Sequence, residues 1–342
     1  MKSIRMRSCL LLALLSCAGP RHPASAIAFP PAPSRARLVY RGEIRSNRDV
    51  AAAGLWQRVS AFFVGERAPE RLRAPVGVAF DPAGRLLVTD TARHAVVVFD
   101  REQGRYSEIA PSGRDALRLP LGVDADAQGR IYVADALARV VRVFSPDGAP
   151  LRTVDAGGAL QRPTGVAIDR ERRVLYVADT PAHVVRVLRL DGTPIRELGG
   201  RGSDPGQLNF PTFLAVDGAG NLVVNDAMNF RVQIFDADGR LTSAFGKLGN
   251  GSGDMSRSKG VAVDRRGHVY VADALFDNFQ IFDRDGRLLM FVGEQGRGPG
   301  QFWMPAGLAI HDTTVAAADT EGRVQLFEIV VEDDLPEAEG AR

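Results

Sequence analysis

The sequence is poor in cysteine and histidine. Its two cysteines, Cys9 and Cys17, both lie near the N-terminus, and only five histidines occur in 342 residues. A body without thiols has no disulfide, no cysteine nucleophile and no cysteine-ligated metal. These kinds of site are therefore excluded for everything after Cys17, and packing and strand pairing must hold the fold.

The sequence also has no basic block and no serine-hydrolase motif. Lys and Arg number 43 and Asp and Glu number 41, a formal net charge of +2. Nucleic-acid-binding domains instead carry a clustered basic surface, so we expect no nucleic-acid partner. No G-x-S-x-G sequence occurs, which removes the usual signal of a hydrolase nucleophile elbow.

The first residues read as an export signal. Lys2, Arg5 and Arg7 precede a short apolar run, 10–15, that is too short to span a bilayer. Two cleavage sites compete. The sequence Leu-Leu-Ser-Cys at 14–17 resembles a bacterial lipobox, in which Cys17 would be acylated, although its second leucine stands where a smaller residue is usual. Ala-Ser-Ala at 24–26 offers an ordinary signal-peptidase site instead.

Either cleavage predicts export. With the lipobox, we expect a lipoprotein of the bacterial periplasm or outer membrane, whose only membrane contact is the lipid anchor on Cys17. With the second site, we expect a soluble secreted protein.

One phrase is repeated six times. It begins with Pro-x-Gly, runs through alternating apolar residues, turns at Gly and ends a second apolar run with Asp. Steps of 44 to 47 residues separate the recurring aspartates, Asp90, Asp135, Asp179, Asp226, Asp273 and Asp319. A period near 45 made of short strands is typical of a β-propeller with one blade per repeat. The sequence therefore predicts an all-β, six-bladed propeller of four-stranded antiparallel blades.

The last copy ends after its third strand, so a strand must come from elsewhere. Residues 37–44 read as a strand, and we expect them to close the last blade and protect its edge. Residues 49–63 have apolar residues at helical spacing, with Asn47 or Asp49 as cap, and predict one short N-terminal helix that packs on the propeller or docks a partner. The predicted boundaries are 1–26 for the leader, 27–66 for the closing strand and helix, 67–331 for the propeller and 332–342 for an acidic disordered tail.

The repeated phrase resembles the NHL repeat. The resemblance is closest at 226–235, D-A-M-N-F-R-V-Q-I-F, and nearly as close at 267–273, G-H-V-Y-V-A-D. The linkers 202–211 and 296–305 also look like the inter-blade loops of that family. The resemblance implies a six-bladed propeller of the bacterial exported type, commonly a binding platform, with some relatives acting as lyases or hydrolases.

The candidate metal sites have simpler explanations. Each recurring Asp ends a strand, where its carboxylate can accept backbone N–H groups of the following turn. Amidating lyases of similar fold place metal histidines at or beside the middle of the Pro-x-Gly phrase, but no histidine stands at the middle position here. We therefore predict no metal, no cofactor and no catalytic residue. The middle positions are Val76, Leu121, Thr164, Thr212, Lys259 and Ala306.

Departures from the repeat indicate where a partner would bind. The starts of the first strands and the turns after the second strands share one face, around the mouth of the central channel. Exposed residues that do not follow the repeat are candidates for recognition on that face. The candidate binding residues are Lys259, Phe213, Asn225, Arg139, His94, His183 and Asn278.

Two functions stay open. The first is a non-enzymatic, exported and lipid-anchored scaffold, expected to be a monomer, that binds a protein, peptide or glycan in the bacterial envelope. The alternative is a metal-dependent hydrolase or lyase at the channel mouth, with Asn225, Asp226 and His183 as ligands. A metal that activates water needs at least three ligands and an open position.

Overall fold

Six antiparallel sheets surround one channel. The computed structural model describes residues 27–31, 34–35, 37–50 and 68–330. Within these ranges the chain forms 25 strands and a few short 3-10 turns. Every blade has four strands, and the sixth carries an additional two-residue strand. The predicted all-β, six-bladed propeller is confirmed.

Strands within a blade run alternately between the two faces of the propeller. The innermost strands, which line the channel, are β3 (Pro75–Phe80), β7 (Pro120–Ala125), β11 (Pro163–Asp169), β15 (Pro211–Val216), β19 (Ser258–Val263) and β23 (Pro305–His311). The second strands are β4 (Leu86–Asp90), β8 (Ile131–Asp135), β12 (Val174–Asp179), β16 (Leu222–Asp226), β20 (Val269–Asp273) and β24 (Thr314–Asp319). The third strands are β5 (Ala95–Asp100), β9 (Val140–Phe144), β13 (Val184–Arg189), β17 (Arg231–Phe235), β21 (Asn278–Phe282) and β25 (Arg323–Ile329). The outermost strands of the first five blades are β6 (Arg105–Ile109), β10 (Pro150–Val154), β14 (Pro194–Gly199), β18 (Leu241–Phe245) and β22 (Leu288–Val292).

The N-terminal segment supplies the fourth strand of the sixth blade. Strand β2 (Leu38–Ile44) pairs antiparallel with β25, from Leu38 opposite Ile329 to Ile44 opposite Val324. The short strand β1 (Ala28–Phe29) then pairs with β2. The predicted closure of the last blade is confirmed, and the edge of β25 is covered as a propeller requires.

Apolar side chains from neighbouring blades fill the space between them. All five residues of β4 and all six of β5 are buried, because both faces of a blade pack against other blades. Between the fifth and sixth blades, the rings of Phe279 and Phe302 both contact that of Phe327, at centroid distances of 5.6 and 6.1 Å. Such aromatic contacts, edge-on for Phe279 and tilted for Phe302, add to the apolar burial that holds the ring of blades closed.

The glycine of the Pro-x-Gly phrase permits close approach of neighbouring inner strands. A Cβ atom on Gly77 would overlap the carbonyl oxygen of Leu121 in the next blade, and one on Gly165 would overlap that of Thr212. The same relation joins the sixth blade to the first, at Gly307 and Val76. The phrase is therefore a packing requirement at the narrowest part of the ring.

Gly77→Ala should destabilise the propeller by about 1–3 kcal/mol, the usual cost of overpacking a filled site. Gly218→Ala is the matched control, because a Cβ there meets open space. Urea unfolding of both variants checks this expectation. An alanine at 77 as harmless as the one at 218 would contradict the close approach of the inner strands.

Several predicted segments lie outside the described residues. The leader with Cys17, the acidic tail, and nearly all of the predicted helix over 49–63 belong to them. Just ahead of it the chain forms a 3-10 turn, Asn47–Asp49, whose own N-cap is Ser46. The capping of the longer helix by Asn47 or Asp49 stays a prediction. Asp49 accepts a hydrogen bond from the backbone N–H of Ser46 at 2.7 Å.

Candidate functional site

The two ends of the channel differ in construction. The start of β3, the end of β4 and the start of β5 lie side by side, since Pro75 pairs with Asp90 and Asp90 with Ala95. We call this end, with the equivalent positions of the other blades, the entry face. The opposite end, where the inner strands finish, is the exit face. All seven predicted binding residues belong to the entry face.

The recurring aspartates of the entry face are buried, and their carboxylates accept hydrogen bonds from the backbone. All six are 0 % exposed. Asp90 accepts the backbone N–H groups of Arg73 and Ala74, at 2.6 and 3.1 Å, and those of Ala92 and Arg93 in the turn that follows. Each of the other five also accepts an N–H from the linker ahead of its blade's inner strand. These carboxylates therefore hold the linkers in place.

Asn225, one of the predicted binding residues, fastens the fourth blade to the fifth. It is fully buried, and its amide donates to Thr212 Oγ1 at 2.8 Å and to the carbonyl of Ser258 at 3.0 Å. Its oxygen accepts from Ser258 Oγ at 2.7 Å. Asn225 and Ser258, which depart from the repeat, are thus one compensating pair, and Asn225 has no polar atom left for a partner.

The two predicted histidines lie apart, and each contacts the linker of the next blade. His94 is exposed, with Nδ1 2.9 Å from the carbonyl of Arg118. His183 is buried, and its Nδ1 accepts the backbone N–H of Phe210 at 3.2 Å. Both have positive φ angles, 52° and 60°, so they sit at left-handed positions in tight turns. The structure does not bring these two side chains into one site.

The remaining predicted residues differ in what they offer. Arg139 is exposed. Phe213 is half-buried and packs against the apolar cluster between the fourth and fifth blades. The Oδ1 atom of Asn278 is buried and has no hydrogen-bond partner among the described residues. Lys259 is half-buried, and no described acceptor or acid pairs with it; burial, and secondarily Arg257, lower the pKa of its amine.

The sequence reasoning missed a set of exposed apolar side chains on the entry face. Leu137, Met228 and Leu275 each stand two residues after a recurring Asp and are 61, 53 and 62 % exposed. Phe210 and Trp303, just ahead of inner strands, are also exposed. We call these five the apolar set. The sequence shows that these residues lie in turns and linkers of the repeat. It does not show whether another segment covers an apolar side chain there.

Arginines that have no ion pair accompany the apolar set. Within the described residues, five exposed arginines of the entry face make no side-chain ion pair; they are Arg73, Arg118, Arg139, Arg162 and Arg257. On the exit face some arginines pair with the acids of their own turns, as Arg85 does with Asp81 at 2.6 Å and Arg130 with Asp126 at 2.6 Å. The entry face therefore carries exposed apolar side chains together with arginines that have no ion pair.

A second feature that the sequence reasoning missed lies at the exit end of the channel. A cavity of about 330 Å³ there is lined by inner strands. Asp124 stands in it where the other five copies have alanine, and it accepts the N–H of Ile168 at 2.8 Å. Arg170 donates to the carbonyls of Ala125 and Phe80, at 2.9 and 2.7 Å, and lies 3.5 Å from Asp124. Burial raises the pKa of Asp124, and Arg170 opposes this.

Two kinds of feature do not occur in the part of the chain that the structure describes. No group of three His, Cys, Asp or Glu side chains in the described ranges is arranged to hold a metal. No helix in the same ranges is long and apolar enough to cross a membrane.

Comparisons with known proteins agree with the architecture. Residues 72–99 match the model of the NHL repeat. A search of curated proteins found no match.

Among solved structures, a gluconolactonase from Xanthomonas campestris is similar with a TM-score of 0.61 and 18% identity, over 92% of this chain and 99% of that one. A catalytically inactive virginiamycin B lyase from Staphylococcus aureus, with quinupristin, is similar with a TM-score of 0.56 and 13% identity, over 78% of this chain and 86% of that one. A protein of unknown function from Bacteroides thetaiotaomicron has a TM-score of 0.61 at 17% identity, over 84% of this chain and 76% of that one. At these identities the likeness shows the fold alone.

Proposed function

We propose that this NHL-repeat six-bladed propeller is a non-enzymatic scaffold that binds a protein or peptide on its entry face. The observation that carries the proposal is the apolar set, five large apolar side chains exposed on one face. They stand around the channel, from Leu137 in the second blade to Leu275 in the fifth, and apolar side chains exposed together on one face commonly mark interaction sites. In keeping with the export signal, we further propose that the scaffold works in the bacterial envelope, anchored through Cys17.

The unpaired arginines support the same face. Aromatic residues, methionine and arginine are enriched at the cores of protein interfaces, and lysine and acidic residues are depleted there. The entry face has this composition, with Trp303, Phe210 and Met228 beside arginines that have no ion pair. A large partner could cover several of these positions at once, whereas the exit cavity admits only a small molecule.

A second candidate is an enzyme with its site in the channel. The cavity with Asp124 and Arg170 favours it, because a partly buried carboxyl group with a raised pKa in a cleft is a common feature of active sites. The structural likeness to a lyase and to a gluconolactonase also allows it. The metal site considered at the entry face is less favoured, since Asp226 already accepts hydrogen bonds from Asn209, Asn229 and Arg231, and His183 accepts one from Phe210.

The test replaces members of the apolar set. In a pull-down from an envelope extract of the source cell, Leu137→Ser/Leu275→Ser should lose at least about ten-fold of the partner retained by the wild type, because hot-spot truncations commonly cost 2 kcal/mol or more. Leu151→Ser/Phe291→Ser is the matched control, since both residues are similarly exposed but lie on outermost strands. Equal retention by the two double variants would contradict the proposal.

A further inference from the structure

We infer that the partner segment bound by the entry face is acidic and places a carboxylate beside Lys259 at the mouth of the channel. This inference rests on the proposed function and names the chemistry of the partner. It follows from the position of Lys259, from the unpaired arginines around it and from the apolar set.

Lys259 is the one charged residue among the six positions that encircle the entry mouth. At the other five positions the backbone carbonyl lies against a glycine of a neighbouring inner strand, at the narrowest part of the ring, and Lys259 holds the equivalent place in the fifth blade. The other five positions are Val76, Leu121, Thr164, Thr212 and Ala306. A half-buried amine among apolar and hydroxyl side chains, with no acid or acceptor in the described residues, has lost part of its hydration without compensation. A carboxylate from outside would supply the missing partner.

The arginines of the entry face add positive charge around Lys259. Many acids on this face are already engaged: the recurring aspartates hold the linkers, Glu108 pairs with Arg93 and Glu321 pairs with Arg297. Arg118, Arg139 and Arg257 have no such partner among the described residues. Lys259 and these arginines are thus cations without a paired acid, and a partner of opposite sign gains both in rate of encounter and in orientation.

The apolar set decides what kind of acidic partner fits. A simple polyanion would leave Leu137, Met228 and Leu275 in contact with water. A protein segment that carries both carboxylates and large apolar side chains would cover them, and the desolvation that follows would strengthen each ion pair at the mouth. The chemistry therefore matches an amphipathic, acidic peptide segment.

The test is a selection of random 12-residue peptides, displayed on phage, against immobilised protein from residue 27 to 342. We expect the recovered peptides to be enriched in Asp and Glu next to Leu, Phe or Trp. Synthetic versions of them should bind at least about ten-fold more weakly to Lys259→Met and to Arg118→Gln/Arg257→Gln. Lys247→Met is the matched control and should bind normally, because Lys247 is 80 % exposed and lies away from the mouth, near Asp254.

The melting temperatures of the variants separate binding from folding. Lys259→Met should melt at or above the wild-type temperature, because the substitution removes a charge that is poorly hydrated. Recovered peptides without acidic residues that still require Leu137 and Leu275 would overturn the inference and leave the proposed function standing. No enrichment, or peptides indifferent to every entry-face variant, would overturn both.

Discussion

Deletion of residues 27–45 is expected to abolish cooperative unfolding and to leave aggregated or molten protein. Strand β2 covers the whole length of β25, and the deletion would expose that edge for pairing with other chains. Leu38 and Ile44 are both 2 % exposed, so their apolar contacts with neighbouring blades would be lost as well.

Thermal unfolding followed by circular dichroism, together with gel filtration, checks this result. The control is the chain that begins at residue 27, which keeps both N-terminal strands. A deletion variant that melts at the control temperature and elutes as a monomer would contradict the closure of the sixth blade.

Arg323→Ala is expected to cost about 3–5 kcal/mol in the free energy of unfolding, the usual penalty for removing one partner of a buried ion pair. Arg323 is fully buried at the junction of β25 with β2. Its guanidinium lies 3.0 Å from Asp319 and 3.0 Å from Glu43, and it also donates to the carbonyl of Gln301 at 2.7 Å. Without it, Asp319 becomes a buried carboxylate with no cation, and the N-terminal strand loses the ion pair between Glu43 and Arg323.

The loss should depend on pH. Burial raises the pKa of Asp319 even in the presence of Arg323, and burial tends to raise that of Glu43 too, although hydrogen bonds from Arg45 and Arg323 lower it overall. When a carboxyl group has a higher pKa in the folded than in the unfolded protein, the free energy of unfolding falls as the pH rises through the folded-state pKa. Removal of Arg323 raises the pKa of Asp319 further, so the deficit of Arg323→Ala should shrink on acidification from pH 7.

Urea unfolding at pH 7 and pH 5 measures both effects. Arg240→Ala is the control, because Arg240 is 76 % exposed in its pair with Asp238 and such pairs contribute about 0–1 kcal/mol. A loss of unfolding free energy for Arg323→Ala as small as that of the control, or one that grows on acidification, would contradict the proposed role of the ion pairs that Arg323 makes with Asp319 and Glu43.

The architecture could be predicted because its signals are local and repeated. Alternating apolar residues, turn glycines and the recurring Asp lie within a few residues of one another, and six copies in phase reinforce the pattern. The closing strand followed from one count, since the sixth copy had three strands where the others had four.

The site could be predicted only as a face, because its details depend on contacts across blades. Asn225 and Ser258 read as two separate departures from the repeat, and nothing local shows that they bond to each other. His183 gives no sequence signal of its bond to Phe210. The exposure of Leu137 and Leu275 depends on what covers each turn, and the place of Asp124 in the channel depends on Arg170 from another blade.

The most direct test of the central claim is site-specific photo-crosslinking in the source cell. A photoreactive phenylalanine analogue is placed at Leu137 on the entry face, or at Phe291 on an outermost strand. The account predicts a discrete crosslinked adduct from position 137 and none from position 291. An adduct from 291 alone, or no adduct from 137 in folded protein, would show that the entry face is not where this propeller binds its partner.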